Sequence, residues 1–336
     1  MSYSVKIEPS GHHFSVDEGE TVLDAALRQG INLPYGCRDG ACGACLGKLK
    51  SGQVSYPDGP PIALDEDEAA QGMAILCQAQ AQSDLVIESE EVQDSSEIEI
   101  KTLPCRISEL RRLNHDVMLV MLKLPEADRL QYLAGQYIDF LLEDGRKRAF
   151  SLASAPHADR DLELHIRHVE KGRFTTYVFE SLSVGDIMRI EGPYGQFYLR
   201  EDSTRPIIFM AGGTGFAPVK GIIEHALEKG LTQPMYLYWG ARTQADLYMH
   251  ELAREWAGQH AHIEYRPVLS EAREADWTGR RGHVHEAILA DFPDLGGYDI
   301  YASGPPAMVY AGRDAFPARG LDLAHYFSDA FEFSPD

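Results

Sequence analysis

The chain has 336 residues, 44% of them hydrophobic and 25% charged, which fits a folded protein of two or three domains and excludes a disordered or fibrous one. Lys and Arg total 31 against 52 Asp and Glu, a formal charge of −21. Such an excess repels phosphate backbones and anionic bilayers, so no nucleic-acid partner is expected. The opening MSYSVKIEPS lacks a basic-then-apolar leader and no apolar run approaches the ~20 residues of a membrane helix. A cytoplasmic protein without membrane insertion is expected. Residues 1–90 carry 14 acids and 5 bases, net −9, together with four of the five cysteines. In a reducing compartment such clustered cysteines are metal ligands or redox thiols more often than structural disulfides.

In chain order, Tyr3–Ile7 and Phe14–Val16 read as short strands around Gly11, followed by a helix over Thr21–Gln29 closed by Gly30. Residues 31–47, rich in Gly and Cys, predict an irregular loop. Asp84–Glu88 predicts the strand that closes a small β-grasp module over residues 1–90. Residues 91–101 are acidic and Ser-rich with little to bury, and read as a linker. Over 102–200, spaced strands at Val117–Lys123, Gln136–Leu142, Arg148–Ala153, Leu162–Val169 and Ile187–Glu191 predict an antiparallel β-barrel. Over 201–336 the grammar becomes strand, glycine turn, helix: Ile207–Met210, Gly212–Gly215, then a helix opening at Pro218. Further apolar strands at Met235–Trp239, His262–Val268 and Tyr298–Ala302 predict a parallel α/β sheet.

Cys37, Cys42 and Cys45 are spaced C-x4-C-x2-C, with Cys77 following after 31 residues. This is the plant-type 2Fe-2S spacing. Gly36, Gly40 and Gly43 permit the turns that wrap three thiolates round one cluster, and small Ala41 and Ala44 let backbone amides approach the sulfurs. Structural zinc is the alternative, although it usually shows paired C-x2-C knuckles and here Cys77 stands alone. Cys105 reads as a buried, inert thiol. The loop from Cys37 to Cys45 resembles that of plant-type ferredoxins. The whole chain resembles the reductase components of multicomponent oxygenases, within the ferredoxin and ferredoxin-NADP reductase superfamily, and is most similar to the CDP-6-deoxy-glucoseen reductases.

That resemblance implies three domains: a 2Fe-2S ferredoxin at 1–90, an FAD-binding barrel at 102–200 and an NAD(P)H-binding domain at 201–336. Arg148-Ala149-Phe150-Ser151 on a barrel strand could pair a pyrophosphate, stack on a flavin and hydrogen-bond its N5. As an isolated string it also suits a plain structural strand. By resemblance it is the family's flavin signature Arg-x-Tyr/Phe-Ser, with Phe150 in place of the commoner Tyr. The element Gly172-Arg173-Phe174-Thr175-Thr176 reads either as a capped helix start or as a phosphate site. By resemblance Gly172, Thr175 and Thr176 meet the FAD pyrophosphate, while His165, Ile166 and Arg167 line the isoalloxazine and its linker. His165 and His168 fall on opposite strand faces and make no metal pair.

Gly212-Gly213-Thr214-Gly215 lies between an apolar strand and a helix, where glycines let a dinucleotide pyrophosphate reach a helix N-terminus. It departs from G-x-G-x-x-G. By resemblance it is the nicotinamide fingerprint, with Arg242 and Asp246 at the adenosine end. No second basic residue accompanies Arg242 over Gly240–Leu247, which favours NADH over NADPH. Ser303-Gly304 stands where the family has Cys-Gly, with Ser303 beside the nicotinamide ring, and Phe331 as a flavin shield. The implied activity is a monomeric NAD(P)H-dependent oxidoreductase. Hydride passes from NADH to FAD beside Ser151 and Ser303, and single electrons then pass through the 2Fe-2S cluster to a protein acceptor docked on the acidic ferredoxin domain. The acceptor would be an oxygenase, a monooxygenase or a deoxysugar dehydrase. A clientless NAD(P)H:flavin or quinone reductase is one alternative, and a redox-sensing iron–sulfur regulatory protein is another.

Overall fold

The computed structural model describes residues 2–29, 31, 33–35, 38, 40–41, 43, 45–89, 98–126, 129–158, 161–272 and 277–331. Two compact units divide the chain, residues 1–99 and residues 100–331.

In the first unit, β1 (Ser2–Glu8) and β2 (His13–Asp17) form a hairpin, followed by α1 (Val22–Arg28). Then come β3 (Leu46–Ser51), β4 (Val54–Ser55), α2 (Glu66–Ala70), β5 (Met73–Ile75), β6 (Gln80–Ala81) and β7 (Leu85–Glu88). The sheet order is β2-β1-β7-β3-β5, with β4-β6 as a separate pair. β1 and β7 run parallel while the other pairs of this sheet are antiparallel, the mixed β-grasp arrangement expected. Alternation explains the pairing: Val5 and Ile7 are wholly buried on β1, and Phe14 and Val16 are buried on β2. Thr21 caps α1 by accepting from the Asp24 amide at 3.1 Å, a bond that contributes about 1 kcal/mol. Gly30, expected to close this helix, and most of the expected linker 91–101 lie outside the described residues.

The second unit opens with the long strand β8 (Lys101–Arg112), which the sequence patterning did not single out. Its outward residues are polar and its inward Leu103, Cys105 and Ile107 are few, so the alternation is easily missed. β9 (Val117–Lys123), β10 (Tyr137–Leu141), β11 (Lys147–Ser151), β12 (Asp161–Arg167), α3 (Arg173–Glu180) and β13 (Ile187–Tyr194) complete the first lobe. The antiparallel order is β11-β10-β13-β8-β9-β12. A bridge between Leu152 and Leu164 joins its two ends into a barrel. Leu122, Ile138, Phe140, Leu162, Leu164 and Ile166 fill the interior.

The second lobe consists of β14 (Ile207–Gly212), α4 (Phe216–Glu228), β15 (Met235–Ala241), α5 (His250–Gln259), β16 (Ile263–Leu269), β17 (Arg280–Arg281), α6 (Val284–Asp291), β18 (Asp299–Gly304), α7 (Pro306–Ala315) and β19 (Tyr326–Ala330). All neighbours in the order β17-β16-β15-β14-β18-β19 are parallel. Both faces are covered, so the strands are apolar throughout. Ile207, Phe209 and Ala211 join one core while Ile208 and Met210 join the other. Ala134, Phe197 and Leu199, from the barrel side of the sequence, belong to the first of these cores. The chain order reverses between β14 and β18, which creates a crevice at their C-terminal ends.

Candidate functional site

In the first unit, Cys45 and Cys77 are both buried, at 3% and 4% exposed. The Leu76 amide donates to the Cys45 carbonyl at 3.1 Å, which brings the two segments together. Arg38, Gly40 and Gly43 all have left-handed backbone (φ 63, 76 and 72), so the loop coils tightly where the sequence supplies two glycines. Arg38 pairs with Asp24 at 2.8 Å, and the Gln78 amide group donates to the Arg38 carbonyl at 2.8 Å. Burial raises the Tyr56 phenol, and the negative charge of Cys45 and Cys77 raises it further. Two buried cysteines whose segments are joined by a backbone bond, beside a tightly coiled glycine loop, fit a thiolate-ligated cluster. Gly36, Cys37, Cys42 and Ala44 lie outside the described residues.

On the barrel, β11 aligns Arg148 with Phe140 and Ser151 with Tyr137 on β10. Phe150 is half-buried, edge-on to Phe140 at 5.9 Å and 5.6 Å from Phe174. The Ser151 hydroxyl donates to Asp329 Oδ2 at 3.1 Å. Asp329 lies on β19 in register with Ser303, and the Phe331 amide donates to the Gly304 carbonyl at 2.9 Å. Ser151, Gly304, Asp329 and Phe331 are thus joined, although they are up to 180 residues apart. Gly172 caps α3 without a side-chain bond, while the Thr175 hydroxyl accepts from the Val169 amide at 3.1 Å and Thr176 meets His168 at 3.2 Å. Both threonine hydroxyls organise the turn itself.

Of the three residues expected to line the isoalloxazine and its linker, His165 and Ile166 have buried side chains. Ile166 is wholly buried in the barrel interior, and His165 is 5% exposed, bonded to Glu163 and Tyr248. Strand alternation accounts for both: Ile166 points inward, and the outward face of β12 at His165 is covered by the second lobe. Only Arg167 of the three lines the open cleft.

That cleft, ≈ 660 Å³, lies at the C-terminal ends of β14, β15 and β16. Gly212, Gly213 and Thr214 line it together with Arg242, Asp246 and Tyr248, and with Asp116 and Arg167 of the barrel. Arg167 Nε donates to Asp116 at 2.7 Å. Trp239 stacks on Phe216 at 3.9 Å, and its indole N–H donates to the Gly213 carbonyl at 3.0 Å, which fixes the glycine turn. Asp246 is held by the Thr243 amide and hydroxyl, both at 2.9 Å. The helix after the turn begins at Phe216, so Pro218 is its third residue and not its first. An amide there would have no partner inside the helix, so proline is tolerated. Gly215 is required for a different reason: a methyl group there would stand 2.0 Å from the Ser303 carbonyl oxygen.

Ser303 is wholly buried beneath this contact, and its hydroxyl has no hydrogen-bond partner among the described residues. It is not among the residues that line the cleft. An orphaned hydroxyl beside two abutting glycine turns fits a site that a dinucleotide would complete. Tyr248, His283 and His285 also line the cleft; no motif marked them, because Tyr248 reaches it from the connection after β15 and the two histidines from the start of α6.

Three family models match in succession: a 2Fe-2S iron-sulfur cluster binding domain over residues 5–82, an oxidoreductase FAD-binding domain over 104–198 and an oxidoreductase NAD-binding domain over 209–314. The chain is 41% identical over 331 residues to the CDP-6-deoxy-L-threo-D-glycero-4-hexulose-3-dehydrase reductase of Yersinia pestis, covering 98% of this chain and 99% of that protein. It is 38% identical over 342 residues to DmpP, the reductase component of a Pseudomonas phenol 2-monooxygenase, covering 100% and 96%. Among solved structures it is similar to the Amycolatopsis cytochrome P450 reductase GcoB, with a TM-score of 0.85 and 33% identity over 98% of each chain. With its three cofactor domains in one chain, the protein belongs to the ferredoxin–flavin–NAD(P)H reductase family, the iron–sulfur flavoprotein oxidoreductases that deliver electrons to protein partners.

Proposed function

We propose that each cofactor of this reductase is held by the residues its module brings together. Cys37, Cys42, Cys45 and Cys77 ligate the cluster in the module of residues 1–90. Arg148 pairs with the FAD pyrophosphate, assisted by the first turn of α3 after Gly172, while Phe150 and Phe331 flank the flavin and the Ser151 hydroxyl faces its N5. NADH enters the cleft along Gly212–Gly215, with Arg242 and Asp246 at the adenosine end and Ser303-Gly304 at the nicotinamide end. When bound, the flavin accepts a hydride and the cluster carries single electrons. The protein supplies order and exclusion of water. Gly215 and Gly304 let two backbone turns abut, Asp329 orients the Ser151 hydroxyl, and Arg167 stays poised on Asp116 at the cleft wall.

The observation that carries this reading is the junction where Ser151 of the barrel meets Asp329 of β19, in register with Ser303. It supports a flavin strand lying against the nicotinamide turn. The acceptor is a protein of the oxygenase, monooxygenase or deoxysugar dehydrase kind, presenting a basic face to the acidic first module, and the reductase acts as a cytoplasmic monomer. Iron and flavin analysis with Cys77→Ser tests the route. The variant should keep NADH-driven ferricyanide reduction within about twofold and lose at least about 90% of cytochrome c reduction, since the cluster alone supplies single-electron exit. Loss of both activities would refute the linear route, and zinc in place of iron would refute the cluster.

A further inference from the structure

We propose that the buried chain Glu163–His165–Tyr248, anchored by Lys220, is a positioning device that fixes the FAD-binding barrel in register with the nicotinamide cleft. The inference rests on the flavin and nicotinamide assignments proposed above. Its origin is visible along β12. Leu162, Leu164 and Ile166 enter the barrel core, so the alternate residues Glu163, His165 and Arg167 share the outer face. A polar face of this kind ordinarily meets water. Here it is covered by α4 and by the segment carrying Tyr248: Lys220 is 6% exposed and His165 5%.

Every polar side-chain atom of Glu163, His165, Tyr248 and Lys220 has a partner. His165 Nε2 lies 2.7 Å from Glu163 Oε1 and Nδ1 lies 3.0 Å from the Tyr248 hydroxyl. Lys220 Nζ donates to Glu163 Oε2 at 3.1 Å, to Glu224 at 3.0 Å and to the Ala153 carbonyl at 3.2 Å. An ionised carboxylate only accepts, so Nε2 carries the imidazole proton and Nδ1 accepts from Tyr248. Burial keeps His165 neutral by lowering its pKa, against the opposing pull of Glu163. Burial also favours the protonated Glu163 carboxyl, but His165 and Lys220 prevail and hold it below its ordinary value. A fully satisfied buried network admits one geometry, whereas apolar contact tolerates sliding.

The network ends at the reaction site. The Tyr248 ring lies edge-on to His165 at 5.3 Å and to Trp239 at 5.1 Å. Trp239 in turn donates to the Gly213 carbonyl. The strand that bears His165 therefore reaches the glycine turn through two rings. Two residues further on, the same strand presents Arg167, whose Nη1 is 3.4 Å from where a Gly213 side chain would start. Hydride transfer depends on the separation of two rings bound to different lobes, and this chain sets that separation.

Tyr248→Phe keeps the ring and removes the hydroxyl; His165→Phe removes both bonds; His165→Gln restores one donor and one acceptor. For each holoprotein the measurements are FAD content, NAD+ affinity and the rate of flavin bleaching by NADH and by 4-deuterated NADH. Amide exchange over residues 163–167 and 213–215 is followed in the FAD-free protein. Tyr248→Phe should retain FAD within about twofold yet, at saturating NADH, reduce flavin about tenfold more slowly, because a ~1 Å misplacement can cost ~100-fold. Its isotope effect should change, exchange should quicken in both segments, and His165→Gln should recover part of the rate lost in His165→Phe. A Tyr248→Phe protein with wild-type bleaching rate and isotope effect would overturn the proposal, as would a defect confined to NAD+ affinity. If wild-type protein bound FAD but were not bleached by NADH, the functional reading would fall and the positioning role with it; the variants address only the latter.

Discussion

Gly215→Ala tests the junction between the two cofactor turns directly. The added methyl would lie 2.0 Å from the Ser303 carbonyl oxygen, 2.3 Å from its carbonyl carbon and 2.7 Å from Gly304 Cα. Separations below 3.0 Å are not sustained by real Cβ atoms, so one backbone must retreat by about 1 Å. No side chain can rotate away, because Ser303 belongs to β18, which is paired on one side with β14 and on the other with β19. Overpacking of this kind costs about 3 kcal/mol, the upper part of the usual range. For a unit of this size that lowers Tm by about 6–12 °C. The same retreat separates the turns expected to hold the nicotinamide, so kcat/KM for NADH should fall by one to two orders of magnitude, roughly. Thermal melting and NADH–ferricyanide kinetics measure both effects. Gly297→Ala, with nothing within 4 Å of the new methyl, is the matched control and should leave both unchanged. A Gly215→Ala protein with wild-type Tm and kcat/KM would refute the abutting-turn geometry.

Gly258→Ala lies inside α5, where the added methyl meets nothing within 4 Å; a gain of about 0.5–1 kcal/mol in unfolding free energy is expected, and a loss would contradict the helix geometry. Cys105 is held by burial with its pKa raised from 9.0 to about 12. A folded pKa above the unfolded one means that this contribution to stability is complete below pH 9 and is lost as pH rises towards 12. Thiol reagents at about pH 8 should label Cys105 only after unfolding, and equal labelling of native protein would count against its burial. Electron delivery to cytochrome c, a basic acceptor, should slow severalfold between about 0.05 and 0.5 M salt, while ferricyanide reduction driven by NADH changes little. A rate to cytochrome c that ignored ionic strength would remove the acidic module as its docking face.

Sequence periodicity located much of the structure. β9 occupies Val117–Lys123 as the alternation predicts, and the apolar runs beginning near Ile207, Met235, His262 and Tyr298 are the parallel strands β14, β15, β16 and β18. These segments are legible because each is apolar on the faces it buries. β8 was not, since half of it faces water and its inward residues are sparse. β17 and β4, at two residues each, carry no period at all. Helix starts were partly legible: the helix expected from Thr21 begins one residue later with Thr21 as its N-cap, whereas Pro218 marked a helix that begins two residues earlier.

What the sequence determines by itself is the chemistry that local spacing encodes: four cysteines at cluster spacing, an Arg-x-Phe-Ser strand, a glycine turn between strand and helix. Backbone geometry makes such short strings sufficient, because their residues act within one loop. Which distant residues face one another was decided only by the tertiary structure. Ser151 finds Asp329, and Gly215 abuts Ser303. The pattern Glu163-Leu164-His165-Ile166-Arg167 shows why. Its alternation fixes which residues share a face, and it looks the same whether that face meets water or another lobe. Only the packing of α4 and Tyr248 against β12 buries His165 and leaves Arg167 at the cleft.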